Sequence, residues 1–188
     1  LPNPFTSVAV MPITPISERA SRTSSSLNGL IILEISDPSN IYSIGTFGNI
    51  GEINMVLVSI NYAYAVDFSG ALRIIDISDP HSLTLIGSFE TSVFNRRWLP
   101  YSLDIQGDYA YLGCSKGLMA IDISDPTLPQ LAGVYDQFYD HVNSVVVRDS
   151  IAYCTYAHQT GSDGSGMSGM TILNISDPSN MYQIGDWY

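Results

Sequence analysis

The tetrapeptide Ile-Ser-Asp-Pro occurs four times, at residues 35–38, 77–80, 123–126 and 175–178, at spacings of 42, 46 and 52 residues. Such a spacing exceeds any single secondary-structure element. It is the length of a supersecondary unit that buries its apolar face by stacking on the next copy. The copies agree beyond the phrase. Seven residues before each aspartate stands Leu30, Leu72, Leu118 or Met170, and eight after it stands Gly45, Gly87, Gly133 or Gly185. The chain is thereby committed to a repeat architecture, which by itself says little about chemistry.

Each unit divides into strands. The six residues before Ser-Asp-Pro (30–35, 72–77, 118–123, 170–175) are mostly branched and apolar, as in a strand covered on both faces, and too short for a helix. Proline lacks an N–H, and the aspartate before it can accept from nearby backbone amides, so Asp-Pro ends the strand in a tight turn. A second strand then runs to the glycine, as in Tyr42-Ser-Ile-Gly45. Upstream, three units carry a hairpin: 56–60 with 62–64, 102–105 with 109–111, and 145–147 with 151–153. Gly107-Asp108 and Asp149-Ser150 are turns in these hairpins. Four strands in about 40 to 45 residues is the proportion of a propeller blade.

The expected fold is therefore all-β: a β-propeller-like array of four-stranded antiparallel blades, four repeat units in one domain, 1–188. Unit boundaries fall near 1–47, 48–90, 91–136 and 137–188. The first unit is the poor copy. Residues 1–28 hold four prolines and a Ser/Arg tract at 21–26, and only 7–11 reads as a strand, which points to a degenerate blade with a long loop, the alternative being an irregular arm in place of the N-terminal strands.

The phrases "ALRIIDISDP…LIG", "GLMAIDISDP…LAG" and "YAYLG" resemble the LVIVD repeat, clearly over 55–188 and partly over 30–47. That resemblance implies propeller-like proteins, often secreted or displayed on microbial surfaces. It implies no particular reaction and supplies no catalytic residue. Asn174 departs from the pattern, since the equivalent position elsewhere is acidic (Glu34, Asp76, Asp122), and the first unit lacks the Tyr-Ala-Tyr strand.

Composition narrows the partners. Charged residues make up 13% of the chain and the net charge is −11. A polyanion would be repelled, and Lys116 with six arginines forms no stripe, so nucleic acid is not an expected partner. No apolar run is long enough for a membrane span. The chain starts at Leu1 and not at methionine, which suggests a processed or partial product. Cys114 and Cys154 fall at non-equivalent positions of neighbouring units and read as buried free thiols.

Length differences between units carry the functional signal. Unit three gains residues around 95–100, between the last strand of one blade and the first of the next. Unit four gains them at 157–169, between its second and third strands. In a four-stranded meander those connections open at one end, opposite the Asp-Pro turns. Repeat proteins place binding loops where their units are allowed to differ. The expected ligand-binding set is Arg96, Arg97, Trp98, Tyr101, Asp140 and His141: arginines to clamp an anionic or polar group, Trp98 to stack. Trp98 plugging a blade junction is the competing reading.

Catalytic chemistry is thin. Gly166-Met-Ser168-Gly169 misses the nucleophile-elbow spacing, and Asp163 alone in the 161–169 loop is too little for calcium. Glu34, Asp76 and Asp122 are expected to tie blade to blade by accepting hydrogen bonds, not to hold metal. No catalytic residue, metal or cofactor is expected. The chain reads as a non-enzymatic binding or scaffold protein, secreted or at the cell surface, recognising a protein or glycan. One alternative is a propeller-fold hydrolase or lyase using His141 and Asp140 in a central funnel. Another is a structural subunit that self-associates into a surface or filament array.

Overall fold

The computed structural model describes the chain apart from residues 1–7, 13–19, 27–28, 36, 38, 49, 51–52, 94–95, 139–140, 160–165 and 188. It contains four four-stranded antiparallel sheets, each a meander in chain order. Blade 1 is β1 (Val8–Pro12), β2 (Ala20–Ser26), β3 (Gly29–Glu34) and β4 (Tyr42–Gly48). Blade 2 is β5 (Ile53–Ser59), β6 (Tyr62–Asp67), β7 (Ala71–Asp76) and β8 (Thr84–Glu90). A two-stranded hairpin, β9 (Ser92–Val93) and β10 (Arg96–Arg97), precedes blade 3, which is β11 (Pro100–Gln106), β12 (Tyr109–Cys114), β13 (Gly117–Asp122) and β14 (Gln130–Tyr135). Blade 4 is β15 (Val142–Arg148), β16 (Ile151–Gln159), β17 (Gly166–Asn174) and β18 (Tyr182–Trp187). Among the described residues the sole helical turn is a 3-10 turn at Pro178–Asn180.

The all-β, four-blade expectation holds, with one difference in blade 1. The Ser/Arg tract lies in β2 and pairs with β3 from Ser21↔Glu34 to Ser26↔Gly29. A polar run takes a strand here because the ladder of an apolar neighbour supplies its backbone partners.

Each Asp-Pro turn is built by its own aspartate. The Asp125 carboxylate accepts from the Thr127 amide (2.9 Å) and hydroxyl (2.6 Å), while its carbonyl accepts from Leu128 N (3.0 Å). Asp37 and Asp177 repeat this on Ser39 and Ser179. These bonds hold the three carboxyls below the ordinary carboxylate range, the hydroxyl contributing most. The acid one step earlier does similar work: Asp76 accepts from Ser78 N at 2.8 Å, and Asp122 from Ser124 N and Oγ at 2.9 and 2.7 Å. Asp76 and Asp122 therefore brace their own turns and do not join blade to blade by these bonds, which corrects the sequence expectation for them. Asn174 accepts from Ser176 N and Oγ at 3.0 and 2.6 Å, so its amide oxygen replaces the carboxylate.

The isoleucine that opens the phrase has its own bond. Ile77, Ile123 and Ile175 donate N–H to the carbonyls of Asn61, Asp108 and Ser150, the second residues of the first hairpins, at 2.8, 2.8 and 2.9 Å. Both tight turns of a blade are thus joined at one end. The register glycine receives the next blade: a Cβ on Gly45 would overlap the Pro80 carbonyl oxygen, and one on Gly133 would overlap that of Pro178.

The chain divides into two compact units, Leu1–Glu90 and Thr91–Tyr188. The core of the first gathers Leu30 and Ile32 of blade 1 with Ile53, Val56, Ala63, Ala65 and Ile75 of blade 2. In the second, Tyr111, Leu118 and Ala120 of blade 3 meet Val142, Val145, Cys154 and Leu173 of blade 4. Burying each large aliphatic chain contributes about 1.5–3 kcal/mol, so the blade-to-blade seams carry the stability. In the second unit Asp104 of β11 reinforces the seam, accepting from Val147 N of β15 at 2.7 Å.

Candidate functional site

Antiparallel pairing puts the start of a first strand beside the end of the second, the start of the third and the end of the fourth. In blade 4 that end is marked by Val142↔Tyr156, Tyr156↔Gly169 and Thr171↔Asp186. Here the blades differ. Blade 2 closes β6 to β7 with a turn pinned by buried Asp67, which accepts from Ala71 N (2.9 Å) and pairs with Arg73 (3.2 Å). Blade 3 uses two residues, Ser115 and Lys116, whereas β16 and β17 of blade 4 lengthen to nine residues each.

The first strands of blades 2, 3 and 4 enter this end through a bulge. Pairing skips between Pro100 and Ser102, between Ile53 and Met55, and between Val142 and Ser144, leaving Tyr101, Asn54 and Asn143 as the extra residues. A bulge re-aims its side chain, and Tyr101 stands 41% exposed. Its ring lies 5.3 Å from that of His141, tilted by 56°. Two of the six expected site residues are therefore brought together across neighbouring blades.

Trp98 is not where stacking needs it. It is 3% exposed, its carbonyl accepts from Thr91 Oγ1 at 2.5 Å, and its Nε1 is buried with no hydrogen-bond partner among the described residues. Trp98 is a core residue at the base of the β9–β10 hairpin, and its expected role as a stacking surface is corrected. The reason is local: Leu99 exchanges bonds with Ser115 (2.8 and 3.0 Å), which draws the preceding tryptophan inward. Arg96 and Arg97 form β10, paired to Val93 and Ser92 through the backbone. The Arg96 and Arg97 side chains and all of Asp140 lie outside the described residues, as do Glu52, Tyr139 and Asp163.

A cavity of about 140 Å³ opens at the same end of blade 4, lined by Gln137, Phe138, Tyr156, Thr171, Gln183 and Asp186. Phe138 is clasped edge-on, 5.3 Å from Tyr135 at 86° and 6.4 Å from Tyr156 at 62°. The Tyr135 hydroxyl donates to Gln183 Oε1 at 3.3 Å. Sequence reasoning missed this cavity, since none of its lining residues carries a motif.

Among the described residues no three His, Cys, Asp or Glu side chains gather as metal ligands. Cys114 and Cys154 are free and buried; burial raises both thiols, that of Cys154 to about 12. No helix of the described residues is long and apolar enough to cross a membrane.

Four four-stranded meanders, joined turn to glycine within each compact unit, define a β-propeller-like repeat protein. The family model of the LVIVD repeat matches residues 25–48, 50–91, 101–137 and 165–187, more than half of the chain, and the chain belongs to that family. Solved structures share the fold. The computationally designed Ika4 protein is 14% identical with a TM-score of 0.61, over 87% of this chain and 89% of that one. The Cps50 (Swd1) β-propeller domain of Myceliophteria thermophila is 10% identical with a TM-score of 0.66, over 97% of this chain and 58% of that one. No curated protein matches.

Proposed function

We propose that this LVIVD-repeat protein is a non-enzymatic binding or scaffold module of the cell surface or extracellular space, taking a protein or glycan on the variable end of its blades. One observation carries the reading: Tyr101 and His141 pack ring to ring at that end, with Tyr101 raised on a bulge. Aromatic area already held in place costs little ordering when a partner docks. Arg96, Arg97 and Asp140 join the contact set by their places in the chain. The setting outside the cell rests on what the LVIVD resemblance implies.

The test compares capture on glycan and cell-surface protein arrays by the wild type and by Tyr101→Ala/His141→Ala. Lost capture at an unchanged thermal midpoint supports the reading, and capture that survives the double change overturns it.

Self-association is a second reading, favoured by β18, which exposes Tyr182 (52%), Ile184 (50%) and Trp187 (70%). Apolar surface of this kind on a sheet's edge strand is a template for pairing with another chain. Light scattering over a concentration series tests it: a mass that stays monomeric throughout removes this reading.

A further inference from the structure

We infer that the cleft of blade 4 binds a single neutral pyranose unit. The inference rests on the reading that this end of the blades takes partners, and it narrows the ligand. At about 140 Å³ the cleft holds a few times the roughly 30 Å³ share of one water, and it is well below the roughly 300 Å³ at which sites for larger ligands begin. One sugar ring matches that volume, whereas a nucleotide or an extended cofactor would project beyond the cleft.

The lining selects among small ligands. Two carboxamides (Gln137, Gln183), a hydroxyl (Thr171) and a carboxylate (Asp186) supply donors and acceptors in the mixture that a ring of hydroxyls requires. None of the lining residues is Lys, Arg or His, and Asp186 repels phosphates and carboxylates. Phe138 supplies the apolar wall. An aromatic face is electron-rich, and the C–H face of a pyranose meets it favourably.

The site is also held in advance. Phe138 is fixed between Tyr135 and Tyr156. Gln183 Oε1 is engaged by the Tyr135 hydroxyl, which leaves the amide hydrogens of Gln183 as its remaining donors. Thr171 and Asp186 are register partners across β17 and β18, so the ladder sets their separation. An ammonium ligand would also suit Asp186 and the aromatics, but the rings meet edge to face and do not converge as a cage, and most of the polar lining is amide and hydroxyl.

The experiment titrates the full chain by NMR with neutral methyl pyranosides, glucuronate and choline, on the wild type, Gln183→Ala and Phe138→Ala. The expected result is that a neutral pyranoside shifts Phe138 and Tyr156 resonances at millimolar concentration, while glucuronate and choline do not. Gln183 is exposed, so Gln183→Ala should fold normally and weaken the pyranoside by about tenfold or more. No shift with any neutral pyranoside, an unchanged affinity in Gln183→Ala, or tighter binding of choline would each overturn the site. Partner capture that persists without pyranoside binding sinks the sugar site alone, and the reverse pattern sinks the wider reading alone.

Discussion

The carbonyl oxygen of Pro178 occupies the space that a side chain on Gly133 would need. Gly45 stands in the same relation to Pro80, so in blades 1 and 3 the repeated glycine is a seat for the following blade's Asp-Pro turn. Gly133→Ala must move backbone against backbone and should cost about 1–3 kcal/mol. Gly185 is the control. A Cβ there meets Ile172 Cδ1 at 3.6 Å, an ordinary contact, and Gly185→Ala should be nearly neutral. Urea unfolding of the two variants decides, and equal destabilisation would remove the seat explanation.

Ile60 carries backbone strain. Its φ is 55°, matching Gly107 (58°) and Asp149 (54°) at the equivalent hairpin position, and it is 83% exposed. A β-branched residue there costs roughly 1–2 kcal/mol more than glycine, with no buried contact in return. Ile60→Gly should therefore raise stability by about 1 kcal/mol, less the entropy that glycine adds to the unfolded chain. A lower thermal midpoint for the variant would show that Ile60 makes an interaction worth more than the strain.

Trp98 separates packing from polarity. Trp98→Ala opens a core cavity and should cost about 3–5 kcal/mol. Trp98→Phe also loses ring volume but removes a buried donor that has no partner among the described residues, and such a donor carries a penalty of about 1–3 kcal/mol. The two effects oppose each other, so the Phe variant should stay within about 1 kcal/mol of the wild type. A Phe variant as unstable as the Ala variant would mean the indole nitrogen is satisfied in solution.

The turn carboxylates predict an acid limb in the stability curve. Asp76 and Asp122, with Asp37, Asp125 and Asp177, are held below their ordinary value by serine or threonine hydroxyl bonds first and amide bonds second. A lowered folded-state value means a contribution present above the unfolded value of about 3.9 and lost as pH falls through the folded one. Asp76→Asn/Asp122→Asn keeps the acceptors, as Asn174 already does, and removes two titrating groups. Its midpoint should fall less than the wild type's between pH 5 and the acid limit, in about the range where such carboxylates titrate. Parallel curves would assign the acid sensitivity elsewhere.

What could be read from the sequence was what local chemistry decides. An aspartate before proline makes its turn wherever it stands, and the hairpins at Gly107 and Asp149 follow from residues that accept positive φ. β2 was hidden because its polar residues owe their strand to β3. Trp98 was ambiguous, since the same residue serves a core or a contact surface, and the Leu99–Ser115 bonds that pull it inward join positions 16 apart. The cleft was hidden most completely. Gln137, Thr171 and Asp186 carry no motif; the blade 4 ladder pairs Thr171 with Asp186, and the connection between β14 and β15 brings Gln137 to the same cleft.

The seat between glycine and proline carbonyl also has a direction in time. The strand bearing Gly45 is synthesised well before the turn bearing Pro80, and that bearing Gly133 well before Pro178. During N-terminal-first synthesis blades 1 and 3 therefore wait with their glycines bare until blades 2 and 4 arrive to cover them. Within each compact unit the earlier blade is thus a template on which the later one is registered. The long connections at the opposite end take no part in that hand-over, so they can be rewritten without stalling the fold.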